Sequence, residues 1–327
     1  MNMTKLLEVK NLKMYYSTMK GDVKAVDDVS FSLEKGESLG LAGESGCGKS
    51  SVALALMKLY PSNAKILSGE VLLDGVNLLE MSDEVIRQNI RWKRISIVPQ
   101  AAMNAFNPVF TIKEQIVEAI LTHEDVTEKE AGERTVELLR RVGIDPSRAS
   151  NYPHEFSGGM KQRAMMAMAL SCNPDLIIAD EPTTALDVIV QAQVLKEIKT
   201  LQEELGLSMI LISHDLSVVA ETCEKTMIMY AGNIVEDAST LEIFRAALHP
   251  YSIGLLGAFP KLTGERKRLE SIKGNPPNLL NPPPGCRFHP RCPNAKDLCE
   301  VIPPFIQETH KGHRVACHMV NKHPEYR

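Results

Sequence analysis

The hydrophobic pattern of the first hundred residues predicts short strands joined by tight turns. Residues 6–16 partly alternate between apolar and polar positions and predict a strand. Gly21-Asp22 predicts a hairpin turn before a second strand at residues 25–33. Asp74-Gly75 lies between two further strand patterns and is a strong hairpin signal. We therefore expect an antiparallel β subdomain in this part of the chain.

A second pattern combines compact apolar strands with helices. Residues 38–42 predict a short strand that leads into a glycine-rich segment, and residues 51–59 predict the helix after it. Residues 176–179 and 209–213 are apolar runs of the kind that buried parallel strands show. The helical pattern at residues 190–205 lies between these two runs, which predicts a βαβ unit.

The remaining segments predict a helical insertion and an irregular tail. Residues 111–142 carry a helical pattern without a strand signal, whereas residues 275–284 are dense in proline and favour an extended chain. We expect an α/β chain in four parts. They are the first part of a core with its antiparallel β subdomain, a helical subdomain, the second part of the core and a small cysteine-rich extension, at residues 1–100, 101–160, 161–247 and 248–327.

The composition narrows the class of protein. The chain has 327 residues, 44% of them hydrophobic and 24% charged, as in ordinary globular proteins. Its net charge of −4 argues against a dedicated nucleic-acid binder. No apolar run approaches the roughly 18 residues that span a bilayer, and the N-terminus lacks the apolar core of a signal peptide. We therefore expect a cytoplasmic chain that needs a partner for any work at a membrane.

The glycine-rich segment at residues 43–50 fits the phosphate-loop pattern G-x-x-x-x-G-K-[ST] between a strand and a helix. Its glycines let backbone N–H groups turn towards phosphate oxygens, and the helix N-terminus favours negative charge. Lys49 is expected to reach the β- and γ-phosphates, and Ser50 to bind Mg²⁺. The predicted ATP-binding residues of this segment are Gly43, Ser45, Gly46, Cys47, Gly48, Lys49, Ser50 and Ser51.

Two acidic residues, Asp180 and Glu181, follow the apolar run at residues 176–179. Asp180 is expected to hold Mg²⁺, and Glu181 to orient or deprotonate the attacking water. A general base of this kind typically supplies about 10²–10⁴-fold in rate. Alone, such a pair also fits a capped strand end, but together with a phosphate loop it indicates ATP hydrolysis.

A second anion-binding turn is predicted at Ser157-Gly158-Gly159, directly before a helix that continues to Leu170. The turn taken alone also fits a plain helix cap. Because the chain already has one phosphate loop, the account we favour is that this turn faces a nucleotide held by another subunit.

The order of these motifs resembles the ATP-binding subunits of ABC transporters, over about residues 6–245. The resemblance implies a P-loop NTPase fold with a RecA-like core. Ser157–Lys161 resembles the family signature, with Met160 in place of the usual glutamine. The resemblance also implies roles for four further residues or segments. They are Gln100 as a sensor of Mg²⁺ or water, Asp187 in a dimer-interface loop at Ala185–Asp187, His214 as a γ-phosphate contact, and Tyr16 (or, in its place, Tyr15) as the aromatic that stacks on adenine.

The C-terminal extension contains four of the seven cysteines: Cys286, Cys292, Cys299 and Cys317. Their spacing lacks the C-x₂₋₄-C pairs usual in zinc sites. Four thiolates on irregular loops can hold a [4Fe–4S] cluster. Zinc stays an alternative because His289, His313 and His318 are near in sequence, and free or oxidised thiols are a third. Residues 249–251 and 285–292 closely resemble the C-terminal extension of oligopeptide and dipeptide permease ATPases, which implies the iron–sulfur cluster.

The resemblance implies a function in transport. The expected chain is the ATPase of an importer of di- or oligopeptides, at the cytoplasmic face of the membrane. Its implied partners are a second, related ATPase subunit, two membrane-spanning permease subunits and an external solute-binding protein. Import of nickel or short sugars by the same machinery remains an alternative, as do a soluble ABC ATPase acting on nucleic acid or ribosomes and an iron–sulfur redox protein with a nucleotide site.

Overall fold

The computed structural model describes residues 5–100, 104–184, 186–258, 272–310 and 312–320. No helix in these ranges is long and apolar enough to span a membrane. The strands in chain order are β1 Lys5–Thr18, β2 Gly21–Glu34, β3 Ser38–Ala42, β4 Ala64–Leu73, β5 Val76–Asn77, β6 Ile95–Val98, β7 Leu176–Asp180, β8 Ser208–Ser213, β9 Lys225–Tyr230, β10 Asn233–Ser239, β11 Gln307–His310 and β12 His313–Val315. The α-helices are α1 Lys49–Leu56, α2 Asp83–Asn89, α3 Ile112–His123, α4 Glu128–Arg141, α5 Gly158–Ala169, α6 Val188–Leu205, α7 Leu216–Thr222, α8 Thr240–Ala246, α9 Pro250–Gly257 and α10 Asp297–Val301.

The chain divides into two compact units, each built from several segments. The first unit consists of Met1–Leu6, Leu33–Ser38 and Asn77–Ser213. The second unit consists of Leu7–Ser32, Leu39–Val76 and His214–Arg327. The glycine-rich segment and the C-terminal extension therefore belong to the second unit, whereas the acidic pair at the end of β7 belongs to the first.

Parallel strands form the centre of the first unit. Strand β7 pairs with β6 on one side and with β8 on the other, so that Ile178 lies opposite both Ile97 and Ile210. Every residue of β7 and β8 is buried, as their continuous apolar sequence predicts. Helix α6 connects β7 to β8, which confirms the predicted βαβ unit. Because parallel strands end at one edge of a sheet, Asp180 and Ser213 lie at the same edge.

The predicted helical insertion is confirmed as α3 and α4, followed by α5. Both α3 and α4 begin with a capping box, in which Thr111 pairs with Glu114 and Thr127 pairs with Glu130. Each threonine hydroxyl accepts a backbone N–H, and each glutamate carboxylate accepts the threonine's own N–H. The apolar faces of the three helices contribute to one buried core cluster that also includes Ile177 of β7.

The second unit contains the predicted antiparallel β subdomain. Its strands lie in the order β2-β1-β4-β5, with Leu7 opposite Leu73 and Val9 opposite Val71. Strand β3 pairs in parallel with β9, and β9 forms a hairpin with β10. Strand β3 is buried along its whole length, so the glycine-rich segment begins at the end of a fixed strand.

The C-terminal extension has more regular structure than its composition predicts. Strand β12 pairs antiparallel with β10, and β11 pairs with β12. Helices α9 and α10 were also not predicted. The proline-rich segment at residues 275–284 contains no helix or strand, which agrees with the prediction for it. Strand β12 has only three residues, too few for an alternating pattern to identify it from sequence.

Candidate active site

The glycine-rich segment has a backbone that two of its glycines make possible. Gly43 and Gly48 adopt positive φ angles of 155° and 111°. A Cβ atom would lie 2.2 Å from the carbonyl oxygen of Met229 at Gly43, and 2.0 Å from that of Ala25 at Gly48. No side chain fits at such distances, so both positions require glycine. The loop is thereby packed against the backbone of its own unit.

Lys49 lies inside this loop. Its side chain is buried, and its ammonium donates to the carbonyl oxygens of Gly43 at 2.8 Å and Glu44 at 3.0 Å. The Sγ atom of Cys47 lies 3.8 Å from the same ammonium, and burial raises the pKa of that thiol. The Lys49 ammonium is therefore held by carbonyl groups of the loop. Phosphate oxygens, which are charged, would be stronger acceptors for this ammonium than the carbonyl groups are.

Tyr16 is the tyrosine that the structure brings to the loop helix. Its hydroxyl lies 3.1 Å from the Oγ of Ser51, in the first turn of α1. The neighbouring Tyr15 instead donates to Asp27 at 2.8 Å, and burial raises its pKa to about 12. Of the two tyrosines considered from sequence, Tyr16 is therefore the one whose hydroxyl contacts a residue of α1.

The acidic pair lies at the end of β7. Asp180 is the last residue of the strand and is only 5% exposed. Glu181 follows with a φ of 48°, a left-handed conformation that non-glycine residues rarely adopt, and its N–H donates to the carbonyl oxygen of Ile212 at 2.9 Å. Conformations of this kind cost roughly 1–3 kcal/mol and cluster at functional sites. Glu181 therefore has the kind of strained backbone that is common at functional sites.

Two side chains hold the Glu181 carboxylate. Its Oε2 atom accepts hydrogen bonds from the Gln100 amide at 3.2 Å and from the Thr184 hydroxyl at 2.9 Å. The structure therefore brings Gln100 and Glu181 together, as expected of a shared site. Sequence reasoning gave no role to Thr184, and a threonine three residues after a glutamate carries no signal of its own.

The Ser-Gly-Gly turn opens α5. Ser157 is exposed, and its Oγ accepts the N–H of Met160 at 3.3 Å as the N-cap. Gly158 is the first helical residue. Gly159 is buried so closely that a Cβ atom there would lie 2.3 Å from Cγ1 of Val190 in α6. The turn is thus fixed against α6 while the serine stays accessible.

Asp187 is the N-cap of α6. Its carboxylate accepts the N–H groups of Ile189 at 3.1 Å and Val190 at 3.0 Å. Ala185, the first residue of the predicted interface loop, lies outside the described residues. His214 directly follows β8 and is exposed. Asp187 therefore lies at a helix start, and His214 lies directly after a strand end.

Two family models match the chain. A model described as ABC transporter matches residues 26–184, and one described as oligopeptide/dipeptide transporter, C-terminal region, matches residues 235–299. The chain is 46% identical to the probable peptide ABC transporter ATP-binding protein y4tR of Sinorhizobium fredii, over 97% of this chain and 96% of that protein. It is 46% identical to the oligopeptide transport ATP-binding protein OppD of Escherichia coli, over 95% of this chain and 92% of OppD.

The chain belongs to the ATP-binding proteins of oligopeptide and dipeptide ABC transporters. Another member, the dipeptide transport ATP-binding protein DppD of Bacillus subtilis, is 44% identical over 99% of this chain and 97% of DppD. The fold agrees with that of the ABC cassette MJ0796, solved as a dimer in a post-hydrolysis state with ADP and Pi. That likeness has a TM-score of 0.64 at 27% identity and covers 72% of this chain and 98% of that chain. The predicted fold class and ABC ATPase family are thus confirmed.

The four extension cysteines of this ABC ATPase line one small cavity, which His249, His289 and His318 also line. None of the four forms a disulfide. Burial, with the nearby thiols adding to it, raises the pKa of Cys286 to about 11. Within the described ranges, no three potential ligand side chains stand close enough to hold a single metal ion. The four thiols therefore line one cavity but do not form a binding site for a single metal ion.

The histidines considered as zinc ligands have other partners. His313 does not line the cavity. It is buried instead, with its Nε2 2.7 Å from the carboxylate of Glu236. His289 bonds the carbonyl oxygen of Cys286 through Nδ1, and His318 bonds that of Ile302 through Nε2. His313 therefore lies outside this cavity, and backbone carbonyl groups engage one ring nitrogen each of His289 and His318.

Proposed function

We propose that this chain binds Mg-ATP through Gly43–Ser50 and hydrolyses it to drive the import of di- or oligopeptides. The observation that carries this proposal is the phosphate loop, with the Lys49 ammonium already held among its carbonyl groups. Ser50, Asp180 and Gln100 are the proposed Mg²⁺ contacts. Glu181 is the base that orients or deprotonates water, and His214 contacts the γ-phosphate.

The proposed active assembly contains a second, related ATPase subunit. Ser157, Gly158 and Gly159 would face the nucleotide held by that subunit, with Asp187 along the shared interface. Support comes from the exposed Ser157 hydroxyl and from Val188 and Ile189 beside Asp187, whose side chains are 82% and 74% exposed. Apolar side chains exposed to this extent at one helix start favour a contact surface.

The proposed partners in transport are two membrane-spanning permease subunits and an external solute-binding protein, with this chain on the cytoplasmic face. Peptides are the proposed solute because the relatives are named for oligopeptide or dipeptide transport. Closure of the two ATPase subunits around ATP would switch the permease between its two states, and hydrolysis would reset it.

The test is purification from detergent-solubilised membranes, followed by uptake of labelled peptides into vesicles containing the complex. We expect ATP-dependent uptake that Lys49→Ala abolishes and that Lys129→Ala, at an exposed lysine of α4, leaves near the wild-type rate. Uptake of nickel or a short sugar without peptide uptake would show that the proposed solute is wrong. Co-purification with ribosomes and no integral membrane protein would contradict a role in transport.

We also propose that Cys286, Cys292, Cys299 and Cys317 hold a [4Fe–4S] cluster. The donor set supports this, since four thiolates are the usual ligands of such clusters, and all four line one cavity. When bound, the cluster would tie the irregular loops of the extension together, as structural metals do in small domains.

Elemental analysis and a visible spectrum of anaerobically purified protein test the cluster. We expect about four iron atoms per chain with broad visible absorbance. Cys286→Ser should lose both, whereas Cys172→Ser, a buried cysteine of the first unit, should keep both. A colourless protein with one zinc per chain would show that the cluster assignment is wrong.

A further inference from the structure

The phosphate loop carries one carboxylate, and the C-terminal extension neutralises it. The Arg291 guanidinium donates to Glu44, the second residue of the loop, through Nη1 at 2.6 Å and Nη2 at 3.0 Å. The Arg291 side chain is only 5% exposed and that of Glu44 is 27% exposed. Two hydrogen bonds between a guanidinium and a carboxylate fix the position and the orientation of both side chains. Because the pair is mostly buried, dissolved salt weakens this interaction little.

The backbone of Glu44 is held by the extension as well. Its N–H donates to the hydroxyl of Tyr251 at 2.9 Å. Tyr251 is fully buried and packs against Tyr230 and Phe288, with ring centres 4.5 Å and 5.4 Å away. Arg291 joins the same cluster, since it donates to the Tyr230 hydroxyl at 3.3 Å. The loop carboxylate and its backbone are therefore anchored to one rigid group of side chains.

A third connection reaches the other side of the loop. The N–H of Gly232 donates to the carbonyl oxygen of Cys47 at 2.8 Å. Arg287 in turn donates to the carbonyl oxygen of Ala231 and forms an ion pair with Asp27. Arg287 and Arg291 both lie in the short segment between the first two extension cysteines. This segment therefore contacts the phosphate loop directly and also through the adjacent turn.

The charge balance indicates what the pair does. A triphosphate brings several negative charges to the loop, and an unpaired carboxylate within that loop would oppose them. We propose that Arg291 is a positioning residue for the phosphate loop, which pairs with Glu44 so that the loop keeps its shape and loses its negative charge. ATP affinity then depends on the C-terminal extension. This inference rests on the proposed binding of ATP at Gly43–Ser50.

A double-mutant cycle on the full chain tests the pairing. The dissociation constant of a fluorescent ATP analogue is measured for wild type, Arg291→Gln, Glu44→Gln and the double variant. We expect Arg291→Gln to weaken binding about tenfold, as loss of a charge-assisted pair does. Glu44→Gln should stay within about threefold of wild type, and the double variant should match Glu44→Gln, because the repelling carboxylate is gone.

Further variants separate positioning from folding. Arg291→Lys keeps the charge without the two-bond geometry and should fall between wild type and Arg291→Gln. Arg314→Gln removes another ion-paired arginine of the extension, one that bonds Asp237 away from the loop, and should bind the analogue like wild type. In steady state, Arg291→Gln should raise the KM for ATP while kcat stays within about twofold.

The outcomes are distinguishable. Wild-type affinity in Arg291→Gln would overturn the inference, and so would a double variant as weak as Arg291→Gln, since a purely structural loss is not rescued at Glu44. If Arg291→Gln does not fold, the affinities of Arg291→Lys and Glu44→Gln test the inference in its place. Equal ATP affinity in Arg291→Lys and wild type would then overturn the positioning role. Failure of the wild type itself to bind the analogue would overturn the proposed function instead.

Discussion

The side-chain amide of Gln100 donates a hydrogen bond of 3.2 Å to the carboxylate of Glu181, a residue 81 positions further along the chain. Thr184 donates to the same carboxylate oxygen. The orientation of this carboxylate is therefore fixed by two donors and by a left-handed backbone. A carboxylate held in one orientation is the arrangement expected of a group that must orient water.

Replacing Glu181 by glutamine should stop turnover without preventing ATP binding. The amide cannot accept a proton, so phosphate release should fall by at least about 10²-fold. The variant should form a stable ATP-bound dimer with the proposed second ATPase subunit, visible by size-exclusion chromatography. Glu137→Gln, at an ion-paired surface glutamate of α4, serves as control and should behave like wild type. Phosphate release by Glu181→Gln at the parent rate would show that the base assignment is wrong.

Replacing Ser157 by alanine should lower the turnover of the complex without changing the ATP affinity of the isolated chain. Because the hydroxyl is proposed to face the nucleotide of the other subunit, ATP affinity of the isolated chain should be unchanged, while turnover of the complex falls at least about tenfold. Thr127→Ala removes an N-cap of α4, at a similar cost of about 1 kcal/mol in stability, and should leave turnover near wild type. Weaker ATP binding by the isolated Ser157→Ala chain would contradict a shared site.

Replacing Tyr16 by alanine should weaken ATP binding about tenfold. Stacking of a base on an aromatic ring contributes roughly 1–3 kcal/mol. Tyr16→Phe keeps the ring and should bind within about threefold of wild type. Tyr15→Ala is the matched control, because Tyr15 donates to Asp27 and not to the loop helix. A larger loss in Tyr15→Ala than in Tyr16→Ala, in equilibrium titrations with labelled ATP, would assign the adenine contact to Tyr15.

The buried His249 should make the protein sensitive to acid. Burial lowers its pKa to about 3, and its Nδ1 accepts the N–H of Tyr251 at 3.0 Å. In the unfolded chain the pKa is about 6.5, so between pH 6.5 and 3 only the unfolded state takes up this proton. The free energy of unfolding therefore falls as the pH falls through that window.

His249→Asn provides the comparison, since asparagine also caps a helix but does not titrate. Between pH 7 and pH 5, we expect the wild type to lose about 2 kcal/mol more free energy of unfolding than the variant. Urea denaturation at the two pH values measures this difference. Parallel pH profiles for the two proteins would contradict a neutral, buried His249.

Features that are continuous in sequence were predictable. The phosphate loop lies between a strand and a helix as its pattern requires, and the capping boxes at Thr111 and Thr127 are local signals. The central strands were predictable for the same reason, because each is an unbroken apolar run. In these cases, the residues that determine the structure are neighbours in the chain.

Features that join distant segments were not predictable from the residues alone. Arg291 and Glu44 are 247 positions apart, and no sequence pattern predicts that they pair. The pairing of β12 with β10 depends on three residues whose partner strand is remote in sequence. Family resemblance implied a role for Gln100, but its hydrogen bond to Glu181 was not predicted. Tertiary packing decides such pairs, and packing has no local period that a sequence pattern could reveal.

The Glu44–Arg291 pair also has an evolutionary consequence. A lineage that loses the arginine while it keeps the glutamate passes through a protein with an unpaired carboxylate beside its triphosphate, and selection should remove most such intermediates. A glutamate at position 44 is therefore expected to be inherited together with the arginine at position 291. In ABC cassettes without this extension, a glutamate at the second position of the loop would need a different cation to balance its charge. An alignment of cassettes sorted by the presence of the extension would reveal this covariation.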